Sequence, residues 1–317
     1  MDKQYRRILL PLDGSDVARS ALAAAAGLSR LFDSELALIT VLPESERELK
    51  PVGALTHADA AGVPATSPPK DKASTKSEGA RYLERVAAEL EGAGVRTTST
   101  AIENPDAASE IVLTARDCGA QLIVMASRGR SGIVRGLLGS VTDRVIHSSP
   151  MPVIVVPAEN EHDVNQWTPR CLIVPLDGSE LAETALPHVE AIASVANIPV
   201  TLVRSVPFPV TYGANVYGSM SPGLLAGVED DDKAARRYLA ETATRLRARG
   251  HVVGTHVSTG HPRTEIAELA QRMDGAMVVM TTRGASGLTR WVVGSVTDSV
   301  IRSSGVPVLV IPPGTGH

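Results

Sequence analysis

Short apolar or β-branched runs recur along the chain at Ile8–Leu12, Leu36–Leu42, Val95–Ala101, Leu122–Ala126 and Val153–Val156, and their length and composition predict strands. The intervening segments follow a different pattern. "SDVARSALAAAAGLSRL" (Ser15–Leu31) is rich in Ala and Leu, and "SEGARYLERVAAELEGAG" (Ser77–Gly94) stops on glycine as a helix C-terminus does. "PDAASEIVLTARDCG" (Pro105–Gly119) opens on Pro and an acid and closes on Gly. Strand alternating with helix predicts right-handed crossovers, hence an α/β doubly wound architecture with a parallel sheet and helices on both faces.

The pattern then repeats. Leu122–Pro157 aligns without gaps with Met277–Pro312, about 20 of 36 positions being identical, and "RRILLPLDGSDVARSAL" from Arg6 pairs with "RCLIVPLDGSELAETAL" from Arg170. Two tandem domains are expected, 1–157 and 170–317, joined by a linker over 158–169 whose sequence "AENEHDVNQWTP" is polar and ends in proline. Long connections follow the second strand of each repeat, Pro43–Lys76 and Pro207–Asp232. They share no sequence and read equally as lids or as disordered segments.

Composition narrows the function classes. Net charge is -4 with acids and bases mixed, so no basic stripe marks a nucleic-acid binder. Aromatic residues make up only 3 %, a balance that suits helices on a buried parallel sheet. Cys118 and Cys171 lie in different repeats without metal-ligand spacing, so neither a disulfide nor a metal site is expected. No apolar stretch approaches the roughly 20 residues of a membrane span. The start, "MDKQYRRILLPLDGS", leaves no room for a signal peptide's apolar region, and a cytoplasmic protein is expected.

In an open α/β sheet, ligands bind outside the carboxyl ends of the strands, where strand order reverses. Two segments of each repeat should meet there: "PLDGS" (Pro11–Ser15, Pro175–Ser179) and the glycine-rich phrase "RGRSGIVRGLLGSVTD" from Arg128 or "RGASGLTRWVVGSVTD" from Arg283. Gly129 and Gly132 permit positive φ and close approach to bare backbone. Gly139 precedes Ser140, read as an N-cap, and the unpaired N–H groups of that helix terminus favour an anion, with Arg128 and Arg135 adding charge if they face inward. The other reading is a capping box in "SVTD" (Ser140–Asp143, Ser295–Asp298), which needs no ligand. Asp143 would even oppose a phosphate unless it points away or a cation intervenes. Asp13 and Asp177 suit a ribose hydroxyl or metal-bound water, and equally an Asx turn leading into the next helix.

At these residues the chain resembles the universal stress protein family in its tandem form, over nearly all of both repeats. The nucleotide-binding members carry G-x2-G-x9-G-[ST], matched here by Ala126-x2-Gly129-x9-Gly139-Ser140 and Thr281-x2-Gly284-x9-Gly294-Ser295. Both copies depart at the first glycine, Ala126 and Thr281, and keep the remaining spacing. The resemblance implies Rossmann-like domains of the adenine nucleotide alpha hydrolase type, each a five-stranded parallel sheet. It also implies bound ATP, ADP or AMP, with Mg2+ at the phosphates. By position it assigns Pro11, Asp13, Val41 and Met125 in the first repeat, and Pro175, Asp177, Val206 and Met280 in the second. Gly129, Gly139 and Ser140, with Gly284, Gly294 and Ser295, match the phosphate-contacting part, and Val141, Thr142, Val296 and Thr297 follow on the helix. Family members often pair their last strands across a dimer. Here Val153–Val156 would pair with Val308–Ile311 inside one chain, a pseudo-dimer that leaves room for a homodimer.

There is no Walker lysine, no GxSxG elbow and no His beside a nucleophile in both repeats, His147 becoming Arg302. No catalytic residue is assigned. The expected function is a nucleotide-dependent stress or regulatory protein with an unknown protein partner. The alternatives are a slow ATPase and a scaffold with vestigial pockets.

Overall fold

The computed structural model describes residues 4–43, 72–128, 138–158, 163–165, 167–207, 222–282 and 293–313. The first half runs β1 (Arg7–Pro11), α1 (Asp16–Arg19), α2 (Ala21–Phe32), β2 (Glu35–Leu42), α3 (Lys72–Gly92), β3 (Arg96–Glu103), α4 (Ala107–Asp117), β4 (Leu122–Ala126), α5 (Ser140–Ser148) and β5 (Val153–Val156). The second repeats it as β6 (Cys171–Pro175), α6 (Glu180–Glu183), α7 (Leu186–Ala196), β7 (Val200–Val206), α8 (Pro222–Arg247), β8 (Val253–Thr259), α9 (Pro262–Arg272), β9 (Ala276–Thr281), α10 (Ser295–Ser303) and β10 (Val308–Ile311).

Several element boundaries differ from the sequence reading. The helix expected over Ser15–Leu31 is broken at Ser20, whose N–H bonds back three residues to the Val17 carbonyl (3.1 Å) and so tightens the turn before α2 restarts. The long connections are also shorter than expected. Residues 72–76 and 222–232 are already helical, and α8 opens on Pro222, a residue suited to the first helical position because that N–H has no intrahelical partner. What the remaining connections, 44–71 and 208–221, do as lids or otherwise lies outside the described residues.

The strands form a ten-stranded sheet in the order β3-β2-β1-β4-β5-β10-β9-β6-β7-β8. All neighbours within a half are parallel. The halves join where β5 meets β10 antiparallel, Leu309 opposite Ile154, both fully buried. Each join strand is too short and apolar to face water alone, and pairing removes two bare edges at once. The core lies in two layers, one on each face of the sheet, and both run through the join. Among the described residues, no helix is long and apolar enough to cross a membrane.

Further contacts seat the connecting segment on the first half and tie the two halves together. Trp167 of the connecting segment packs on α2 at Gly27, and Arg30 donates to the Val164 carbonyl at 2.8 Å. Beneath them Tyr5, fully buried and edge-on to Phe32, donates its hydroxyl to Nδ1 of His188 on α7. Burial raises the Tyr5 phenol and lowers the His188 imidazole from 6.5 to about 4. The unfolded chain therefore takes up a proton at His188 that the folded chain refuses, so stability holds above pH ~6.5 and declines as pH falls towards ~4. This group alone should remove about 2–3 kcal/mol between pH ~7 and ~4.5. Urea unfolding at the two pH values checks it, and His188→Gln, which keeps an acceptor but does not titrate, should lose that dependence.

Candidate functional site

Strand order reverses between β1 and β4, and a cavity opens beyond the carboxyl ends of these two strands in the first half, with its repeat beyond β6 and β9. The volumes are about 200 and 260 Å³. Both are built from corresponding segments of the two halves.

The first segment is the turn after β1. Gly14 and its repeat Gly178 take φ of 80° and 88°, which only glycine adopts cheaply. That turn lets Asp13 Oδ1 accept from the Ser15 N–H (3.0 Å) and hydroxyl (2.6 Å), while Ser15 Oγ caps α1 at the Ala18 N–H (3.1 Å). Asp177, Ser179 and Ala182 reproduce these distances. The Asx turn is therefore real. Asp13 and Asp177 also line the cavities, so the turn fixes each carboxylate at the cavity wall rather than competing with that placement.

The second segment joins β4 to α5. Gly139 N–H bonds the Ser127 carbonyl at 2.8 Å, and Gly294 N–H bonds that of Thr282 at 2.6 Å, so each glycine phrase starts and finishes at one hydrogen bond. Thr142 Oγ1 donates to the Ala126 carbonyl and Thr297 Oγ1 to that of Thr281, both at 2.9 Å. These buried hydroxyls tie each helix's first turn to its strand end.

The helix start corrects the capping-box reading. The N-caps are Gly139 (φ -66°, ψ 143°) and Gly294 (φ -63°, ψ 147°), not Ser140 and Ser295, and neither helix has a side-chain capping bond. Glycine has no oxygen to offer, and the serine one residue on already belongs to the helix. Among the described residues, no side chain caps these first turns, whose residues line the cavities. Asp143 does not oppose an anion there. It is absent from the cavity lining and sits 3.7 Å from His147, while Asp298 is paired with Arg302 at 2.8 Å.

Residues of β2 and α4, and of β7 and α9 in the second half, supply the remaining wall. The first cavity gathers Pro11, Asp13, Val41, Met125, Ala126, Gly139, Ser140, Val141 and Thr142, with Arg128 alongside. The second gathers Pro175, Asp177, Met280, Thr281, Gly294, Ser295, Val296 and Thr297. Gly129 and Gly284, with Gly132 and Arg135, lie outside the described residues. Val206 does not line the second cavity. Pro11 pairs with Ile39 and Pro175 with Val203, so the position of Val41 is held by Ser205, and Val206 falls one residue on, facing the other side of the sheet. Residues not foreseen are Ala18, Ile39, Ala107 and Ile111, and in the second half Ala182, Val203, Ser205, Pro262 and Ile266. Period-two alternation along β2 would have found Ile39 beside Val41.

Arg144 of α5 donates to Asp106, the N-cap of α4, at 2.7 Å. That bond, with help from Ser109, holds the Asp106 carboxyl down at about 2. Among the described residues, no group of three or more His, Cys, Asp or Glu side chains is placed to hold a metal ion.

The model of the universal stress protein family matches residues 4–157 and 170–312. A universal stress protein of Methanocaldococcus jannaschii is 35 % identical over 153 residues, covering 48 % of this chain and 82 % of its own. One of Mycobacterium tuberculosis strain H37Rv is 27 % identical over 301 residues, covering 93 % of this chain and 96 % of its own. The solved universal stress protein of Archaeoglobus fulgidus superposes with a TM-score of 0.66 at 21 % identity, covering 98 % of this chain and all of the other.

Proposed function

Since the chain belongs to the universal stress protein family and carries its domain twice, we propose that it binds an adenine nucleotide in each of the two cavities and acts as a nucleotide-dependent stress or regulatory protein. The observation that carries this reading is the start of α5 and α10: a glycine N-cap, no side-chain capping bond, and a first turn lining an apolar-walled cavity. Unpaired N–H groups and the positive end of the helix dipole favour phosphate oxygens. The strand residues Ile39, Val41 and Met125 offer a flat apolar base a dry wall, and Arg128 adds positive charge at the first cavity.

Asp13 and Asp177 are the carboxylates at the cavity walls, and a single carboxylate plus phosphates is a normal setting for Mg2+, which otherwise keeps its waters. Bound there, the ion would neutralise phosphate charge. The chain's own part is to present the turn that holds each aspartate and the N–H groups that receive the phosphate.

The test is to denature freshly purified protein, identify the released nucleotide by chromatography and mass, and measure its molar ratio to chain. About two per chain is expected, one for each cavity. No nucleotide, together with no thermal shift on adding ATP and Mg2+, would sink the proposal.

A further inference from the structure

The two repeats differ at one position that reaches from one half into the other. His147, in the last turn of α5, lies 2.7 Å through Nδ1 from the Asp143 carbonyl, and its Nε2 accepts the N–H of Val293 at 3.3 Å. A carbonyl only accepts and a backbone N–H only donates, so both bonds form only if the imidazole carries its single proton on Nδ1. Val293 immediately precedes Gly294, the N-cap of α10 and part of the second cavity's wall.

The corresponding residue of the second half does something else. Arg302 turns back along its own helix onto Asp298, with Nε 2.9 Å from each carboxylate oxygen. Asp298 raises the guanidinium chiefly through that bond, and Asp143 across the join adds a smaller attraction. One side of the pseudo-twofold therefore sends a neutral hydrogen bond across the join, and among the described residues the other side contributes a longer-range attraction.

We propose that His147 is a positioning residue for the second cavity, so that ligand binding in the second half depends on a side chain of the first. The inference rests on the nucleotide reading above and deepens it, since it makes the two cavities unequal. The Val293 N–H would otherwise have to find water, and a first turn free to shift presents its N–H groups less well to phosphate.

The experiment has two readouts. Amide exchange at Val293 needs no ligand, and should quicken about tenfold in His147→Ala and return towards wild type in His147→Gln, whose side-chain carbonyl can accept the same N–H. MgATP titration, in the wild type and in a Gly139→Val background that leaves only the second cavity, should show roughly threefold to tenfold weaker binding at the second cavity in His147→Ala, with the first cavity unchanged and the glutamine variant rescued. Unchanged exchange, equal losses at both cavities or failure of the glutamine rescue would overturn the proposal. If the wild type takes up no MgATP, the nucleotide reading fails and the ligand dependence with it, while exchange at Val293 still decides whether His147 holds the segment.

Discussion

Changing Gly139 and Gly294 to valine in one chain should empty both cavities of nucleotide and leave the fold standing. At each position the backbone is extended, with φ near -65°, so valine fits the main chain without strain. Its branched side chain nevertheless stands at the start of a first turn whose N–H groups are the proposed phosphate contacts. Losing two charge-assisted hydrogen bonds weakens binding by at least about 100-fold. Losing glycine at an N-cap costs only about 1 kcal/mol. Each single variant should lower the nucleotide released on denaturation by one molar equivalent, and the double variant should release none. Full occupancy in the double variant, with only a lowered melting temperature, would mean that the glycines serve the helix and not a ligand.

Gly27→Ala should destabilise the protein by about 2–3 kcal/mol, although alanine is the better helix former by about 1 kcal/mol. A Cβ at Gly27 would stand 2.0 Å from the Trp167 carbonyl oxygen and 2.9 Å from its ring. The obstacle is backbone, which no rotamer change can clear, so the connecting segment must leave α2. Gly92 gives the contrast: nothing lies within 4 Å of its added Cβ, and Gly92→Ala should be neutral or mildly stabilising. Urea melts measure both. In a Trp291→Phe background, emission from Trp167, only 8 % exposed in the folded protein, should shift to the red in Gly27→Ala and stay put in Gly92→Ala. An unshifted spectrum with full stability would mean that the segment is not seated against that helix.

Local chemistry made much of this protein legible from sequence. Runs such as Leu122–Ala126 and Val153–Val156 coincide with their strands because five or fewer buried β-branched and apolar residues between turn signals leave little else to form. The "LDGS" turn was equally readable, since its serine and aspartate bond within three residues. The errors arise where the answer depends on a partner. The resemblance assigns Val206 by its position in the second repeat, whereas the face a strand residue occupies is decided by the register of β6 against β7. Ser140 has the right composition for a cap, but the chain enters the helix one residue earlier because Gly139 is held by the Ser127 carbonyl. The bond from His147 to Val293 spans 146 positions and joins two repeats, so nothing local announces it.

The antiparallel join has a consequence in time. β5 ends at Val156 and its neighbour β10 begins at Val308, so a ribosome adding about 5–20 residues per second completes the first strand roughly ten to thirty seconds before the strand that shields it. During that interval the nascent first half carries the open edge "VIVV", able to pair with the same edge of a neighbouring nascent chain. The arrangement that closes the finished molecule upon itself is also the one that leaves its unfinished form most exposed to its own copies.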